Sequence, residues 1–341
     1  MSDKPTHDLA NPLHLTTRPA LPAPIPIPHR LNRRLAAIAL TIAVAQLFVV
    51  PLLLLPAAPV LAAIVVMSLS LTVPFTHALM HEAIHGRLAT PARLNDRLGR
   101  ALALSSAVVF DGMRFGHLSH HRYNRHSLDR PDIIEPGASG LLTGLRYYAG
   151  LLGGIYLTEV GGSIAMLLPR PIIDRLLEQT LDRNDPALAA IRRAMQRSLD
   201  RRLTRMRIDA IVMLLVFATA FTLYGAYWPI LAAALAARGV ILSVMDNAPH
   251  YGTPAVIGAD AHNTRAGRWL SVFLLNQNLH AVHHHRPELP WTALPVAFDQ
   301  GAARHHGGYL TGLLRQFGGP WRPKDAAIVE RQSPRSLQPA E

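Results

Sequence analysis

Leu35 to Leu55 run without a charged side chain, long enough as an α-helix to cross the roughly 30 Å hydrocarbon core of a bilayer. Inside hydrocarbon a backbone satisfies its own N–H and C=O groups only as a helix or a closed barrel. Three further apolar runs, residues 60–80, 208–226 and 229–245, repeat the constraint. Pro56 and Pro59 break the first pair, and Trp228-Pro229 divides the second. The expected fold class is therefore all-α. It is a polytopic membrane protein of about four transmembrane helices in two hairpins, carrying a cytoplasmic helical cap.

Charge sets the orientation. Formal net charge is +12, carried mostly by Arg. On a soluble chain that balance would suggest nucleic acid; here the basic residues flank apolar runs, the positive-inside pattern, and no nucleic-acid partner is expected. Both termini should be cytoplasmic, and the expected location is an integral membrane protein of the bacterial inner membrane. Cysteine is absent, which excludes disulfides, thiolate catalysis and Cys-ligated metals.

Between the spans the chain divides as follows. Residues 1–34 read as a flexible, Pro-rich lead-in ending in the basic collar His29–Arg34, because alternating prolines forbid helix. A membrane domain should fill 35–322, with a flexible tail over 323–341. Residues 101–110 are too short to cross and read as an interfacial or re-entrant piece. Residues 140–168 are apolar and glycine-rich. A single crossing there would put 170–207, with ten arginines against five acids, on the wrong side. They are expected to lie in the interface or to dip in and return. Residues 170–207 read as basic amphipathic helix on the cytoplasmic surface.

Histidine is the second constraint. There are 18 in the chain, and their clustering matters more than their number. His77, His81 and His85 stack on one helical face at the mouth of the second span. His117, His120 and His121 share the spacing i, i+3, i+4, as do His280, His283 and His284. The expected topology puts these clusters and His250 on one side of the membrane. His81, His85, His117, His120, His121, His250, His280, His283 and His284 make nine candidate ligands, too many for one ion and suited to two. His77, one turn deeper, reads as a neighbour of the ligands or as pocket lining, with Trp291 as further lining.

His81-Glu82-Ala83-Ile84-His85 is also a literal H-E-x-x-H, the zinc-protease pattern with Glu as general base. An intramembrane metalloprotease would leave six clustered histidines idle. Glu82 is therefore read as a supporting acid.

With the boxes HEAIH, HLSHH and HAVHH in that order, the chain resembles the integral-membrane fatty acid desaturase superfamily. That superfamily also contains acyl and alkane hydroxylases and carotenoid-modifying oxygenases. The flanks are similar too: HHRYN at 120–124 followed by Arg130-Pro131-Asp132, NAPHYG at 247–252, and NQNLHAVHHHRPELPW ending at Trp291. The resemblance covers roughly 35–300 and implies that the nine histidines hold two iron ions. Asp246 or Asn247 occupies the neighbourhood where some members place an oxygen donor. Arg130 replaces an acid of the family pattern.

Removing hydrogen from an unactivated carbon chain needs a strong oxidant, which redox-inert zinc does not supply. Two irons with O2 and two external electrons do. The expected function is a membrane-bound oxidase introducing a double bond into the acyl chain of a lipid or acyl thioester, with hydroxylation as the runner-up within the superfamily. Without Cys there is no intrinsic iron–sulfur centre. The resemblance therefore implies a separate ferredoxin- or cytochrome b5-like electron carrier with its reductase.

Overall fold

The computed structural model describes residues 26–254, 261–301 and 303–323. The Pro-rich stretch up to residue 25 and the tail from 324 lie outside the described residues. Every regular element among the described residues is helical. Three helical stretches are long and apolar enough to cross a membrane: His29–Leu53, Pro59–Ile84 and Pro186–Asn247.

The first stretch, α1 (His29–Leu53), starts inside the basic collar rather than after it. Arg30, Arg33 and Arg34 stay exposed on its outer face while Asn32 is fully buried. A widened π turn, Ala45–Val49, precedes Pro51, whose ring displaces the carbonyl four residues back. The second stretch, α2 (Pro59–Ile84), returns antiparallel. Asn32 Nδ2 donates to the Arg87 and Leu88 carbonyls at 3.1 and 3.0 Å. Gln46 Nε2 donates to the Val66 carbonyl at 3.1 Å and to Ser70 Oγ at 2.7 Å. Each buried amide is thus satisfied across the pair, as a dry interior requires.

Residues 101–110 do not form a separate interfacial piece. They are divided between α3 (Ala92–Ser105) and α4 (Phe110–Tyr123), and Leu102, Ala103 and Phe110 are buried in the core. The two helices meet closely at Gly99, where a Cβ would lie 2.5 Å from the Phe110 ring. Any larger residue would push α4, which carries three of the histidines, out of place.

Residues 140–168 form two short helices, α5 (Gly140–Ala149) and α6 (Ile155–Ala165). Between them Gly153 takes φ +115°, a conformation that L side chains rarely adopt.

The basic segment 170–207 is not one surface helix. α7 (Arg170–Thr180) is separate, and the remainder opens α8 (Pro186–Tyr224), 39 residues long. Asp185 caps it, accepting from Ala187 N at 2.8 Å and Leu188 N at 3.1 Å. The Arg-rich turns therefore continue without interruption into the third apolar run. Asp111 on α4 binds Arg202 Nη1 at 2.9 Å and Arg205 Nε at 2.6 Å, and Asp209 binds Arg100. These pairs fasten α8 to α3 and α4.

The fourth apolar run is α9 (Trp228–Asn247), reached through a tight turn at Gly225–Tyr227. Asp209 and Arg238 both reach α3, at Arg100 and at the Ser105 carbonyl. A straight helix would hold residues 209 and 238 about 43 Å apart, whereas residues 100 and 105 are only about 7.5 Å apart on α3. The chain must double back between them, so α8 and α9 form the second hairpin. After α9 come the short helices α10 (Arg268–Phe273), α11 (His280–His285), α12 (Leu294–Gln300) and α13 (Tyr309–Arg315).

Candidate metal centre

The last turn of α2 delivers His81, and His85 closes that helix. α4 supplies His117, His120 and His121. His250 sits in the turn after α9, and α11 is little more than a carrier for His280, His283 and His284. All nine converge in two groups: His81, His85, His117, His121 and His283 in one, His120, His250, His280 and His284 in the other. Within each, one nitrogen from every residue lies within 4.8 Å of all the rest. Consecutive residues part company: His120 and His121 point to different groups, as do His283 and His284, because neighbours on a helix diverge by about 100°.

The ring nitrogens are too close to be explained by hydrogen bonds among themselves. His117 Nε2 lies 2.9 Å from both His85 Nε2 and His121 Nε2. His250 Nε2 lies 3.1 Å from both His120 Nε2 and His280 Nε2. An imidazole nitrogen carries one proton or one lone pair in its plane, and so serves one such partner. A cation between the rings satisfies all of them at once. His81 Nε2 is buried in its group with no hydrogen-bond partner, as a group reserved for a cation would be.

Electrostatics agree. Burial holds His121 down at about 2 and His280 at about 3, with neighbouring histidines adding to the effect. Both are therefore neutral, with lone pairs available for metal. His120 differs. Burial works against its charged form, but the carboxylate of Asp129, 2.7 Å from Nδ1, outweighs it and raises the pKa. With Nδ1–H donating to Asp129, Nε2 is left facing its group.

Several supporting residues have no spacing signature in the sequence. The side-chain amide of Gln277 lies 3.1 Å from His81 Nδ1, and that of Asn124 lies 3.4 Å from His250 Nδ1. Asp132 is wholly buried; it binds Arg125 at 2.7 Å and accepts from Gly252 N at 2.9 Å and Trp321 Nε1 at 3.1 Å. That carboxylate pins the His250 turn. Arg130, the departure from the family pattern, pairs with Glu135 at 2.6 Å.

The expected helpers fare unevenly. His77 joins neither group and is half-buried one turn below His81. Glu82 belongs to neither group and accepts from the Trp291 backbone N–H at 3.2 Å. Asn247 is engaged elsewhere, donating to Gln316 Oε1 at 2.8 Å and to the Tyr147 hydroxyl at 3.2 Å. Asp246 remains accessible, and its charge is felt at His120. Trp291 is a buried lock rather than tunnel lining: its indole N–H donates to Asn32 Oδ1 at 2.9 Å.

A family profile described as fatty acid desaturase matches residues 54–312, a span that contains all nine histidines and every membrane helix after α1. The chain belongs to the fatty acid desaturase family. No curated protein matches it. Membership in the desaturase family makes the chain an oxidoreductase of the desaturase and oxygenase type, and its three apolar helical stretches suit a membrane protein. The family uses iron, and the two histidine groups are of a kind that could bind metal. For this desaturase-family chain, lipid and O2 are the implied reactants.

Proposed function

We propose that the chain is a membrane-bound di-iron oxidase that introduces a double bond into a lipid acyl chain. The observation that carries this reading is the division of nine imidazoles into groups of five and four, each with its ring nitrogens within 4.8 Å of one another. His81, His85, His117, His121 and His283 would hold one ion; His120, His250, His280 and His284 would hold the other. Irons bound there would supply, with O2 and two external electrons, the oxidising power that an unactivated C–H bond demands.

The protein's own contribution is placement. Asp129 keeps a proton on His120 Nδ1, so that Nε2 stays a ligand through turnover. Asp132, holding both Arg125 and the His250 turn, keeps that ligand in register with α4. Asp246, accessible and close enough for its charge to act on His120, would be available as an oxygen donor. A lipid tail would approach the centre from the membrane side, along the apolar helices α2 and α9.

The four apolar runs support four crossings. The arginines of the collar, of residues 87–100 and of 170–207 all sit at the histidine end of the helices, which favours a cytoplasmic centre. Electrons would come from a separate carrier, an acidic one being suited to the basic face of α7 and α8.

Hydroxylation of the same chain uses the same centre and differs only in product. The zinc-protease reading is disfavoured because it leaves most of the nine converging histidines without a role. The test has two arms: metal analysis of the purified chain, and product analysis of lipids from cells expressing it. Two irons per chain and new unsaturated acyl chains are expected. One zinc and no lipid change would overturn the reading; hydroxylated chains would select the runner-up.

A further inference from the structure

The stretch between His250 and the third histidine cluster falls, by sequence, in the cytoplasmic cap. It nevertheless holds an apolar excursion. Asn263 and Leu279 form an antiparallel bridge. Thr264 N donates to the Asn278 carbonyl at 2.7 Å, and Asn278 Nδ2 donates to the Thr264 carbonyl at 2.9 Å. Residues 264–278 are thereby closed at their base, and α10 (Arg268–Phe273) forms the tip. On that tip Trp269 is 83% exposed, Val272 44% and Leu270 39%. Large apolar side chains grouped on an exposed tip mark a surface that something else covers.

Two contacts set the depth of the tip. The Gln277 amide lies 3.1 Å from His81 Nδ1, so the base stands at the level of the histidines. Phe273 stacks on Phe75, with ring centroids 5.8 Å apart. Phe75 precedes His81 by six positions on α2 and so lies about 9 Å further into the membrane. From Gln277 back to Phe273 the chain therefore descends along α2 toward the hydrocarbon. Leu275 and Asn276 turn it with φ of +48° and +57°, and Asn276 Nδ2 donates to the Trp291 carbonyl at 3.0 Å. The descent is thus held by the fold.

Charge points the same way. Residues 264–278 contain two arginines, Arg265 and Arg268, and no acid. Both are exposed, and the Arg268 guanidinium stands 5.9 Å from the centre of the Trp269 ring. An indole beside a cation, next to aliphatic side chains, is the composition that settles at a membrane–water interface. An acidic protein partner would suit the arginines but not an apolar tip set below the level of the histidines.

We infer that residues 264–278 are a membrane-dipping loop, in which Trp269, Leu270 and Val272 enter the boundary between headgroups and acyl chains while Arg265 and Arg268 meet lipid phosphates. The stretch that carries this tip also delivers Gln277 to His81 and opens α11, so one segment joins the lipid surface to the third histidine cluster. The inference rests on the membrane reading of the apolar helices and is independent of the reaction catalysed.

The test uses the absence of cysteine, which lets one introduced thiol carry one nitroxide. Val272→Cys is compared with Leu215→Cys, on an exposed position of the third apolar run, and with Glu288→Cys, in the loop after α11. Leu270→Cys replaces Val272→Cys if the latter does not accumulate. Each full-length chain is reconstituted in phospholipid vesicles. Collision of the label with O2, which concentrates in hydrocarbon, is measured against collision with a water-soluble nickel chelate. The ratio at 272 is expected several-fold above that at 288 and close to that at 215. A ratio at 272 equal to that at 288 would overturn the inference. So would a label at 272 shielded from both reagents, the sign of a protein partner or a second copy. A label at 215 that reads as aqueous would remove the membrane reading of α8, and the inference with it.

Discussion

Asp129 reaches His120 Nδ1 at 2.7 Å from a loop nine residues further along the chain. Carboxylates placed behind a ligating imidazole fix its tautomer and raise its basicity, and losing them typically costs 10- to 100-fold in metal affinity or activity. Asp129→Ala should therefore lower oxidation by about that factor, with metal content measured on the same preparation. Asp129→Asn, which still accepts a hydrogen bond but lacks the charge, should lose less. Full activity in Asp129→Ala would remove the residue from the centre.

The Arg125–Asp132 pair is buried on both sides. Removing one member of such a pair leaves a stranded charge and costs about 3–5 kcal/mol. Asp132→Ala should lower the unfolding midpoint of the detergent-purified chain sharply. The double change Arg125→Met with Asp132→Leu should recover part of the loss. A double variant as unstable as the single one would show that packing rather than charge is what Asp132 supplies.

Glu82 accepts one N–H from the Trp291 backbone, and an amide oxygen can accept it too. Glu82→Gln should keep lipid oxidation within a few-fold of the unaltered chain. In a zinc protease the same substitution would remove the general base. Loss of activity with structure and metal content intact would reopen that alternative.

Acid should weaken the metal-free chain. Burial holds His121 at about 2 and His280 at about 3, and holds His262, near His306 and Arg315, at about 4. Unfolded, each takes a proton near 6.5. Between those values the unfolded chain binds more protons than the folded one at these three groups, so their contribution to stability is lost as pH drops below about 6.5. Unfolding of chelator-stripped protein at pH 5 and at pH 7.5 checks this; an equal or higher midpoint at pH 5 would contradict it.

Metal removal should be reversible. Chelation should abolish oxidation while the chain stays folded near neutral pH, and ferrous iron should restore it. Zinc, which fills imidazole sites but has no redox chemistry, should occupy the groups without restoring activity.

Much of this was readable in the sequence. Eight of the nine histidines announced themselves because helical spacing puts i, i+3 and i+4 on one face, His250 was read from its place just past the last apolar run, and the apolar runs announced the hairpins. What could not be read was contact across loops. Asp129 meets His120 only because the chain turns after Tyr123, and Gln277 meets His81 across 196 positions. Helix ends were misjudged where charged residues extend a span. The collar at Arg30–Arg34 joins α1, and the arginines before residue 207 join α8, because an exposed helical face tolerates them outside the hydrocarbon. Asn247, read as a neighbour of the metals, faces Gln316 instead, a partner that local pattern does not reveal.

A single peptide link separates His120 from His121, and another separates His283 from His284, with each pair serving both groups. The two groups are thus yoked twice through covalent bonds on short, stiff helices. An ion settling among five imidazoles fixes the backbone that aims two of the other four. Loading should therefore be cooperative, with half-filled protein scarce at every stage of an iron titration.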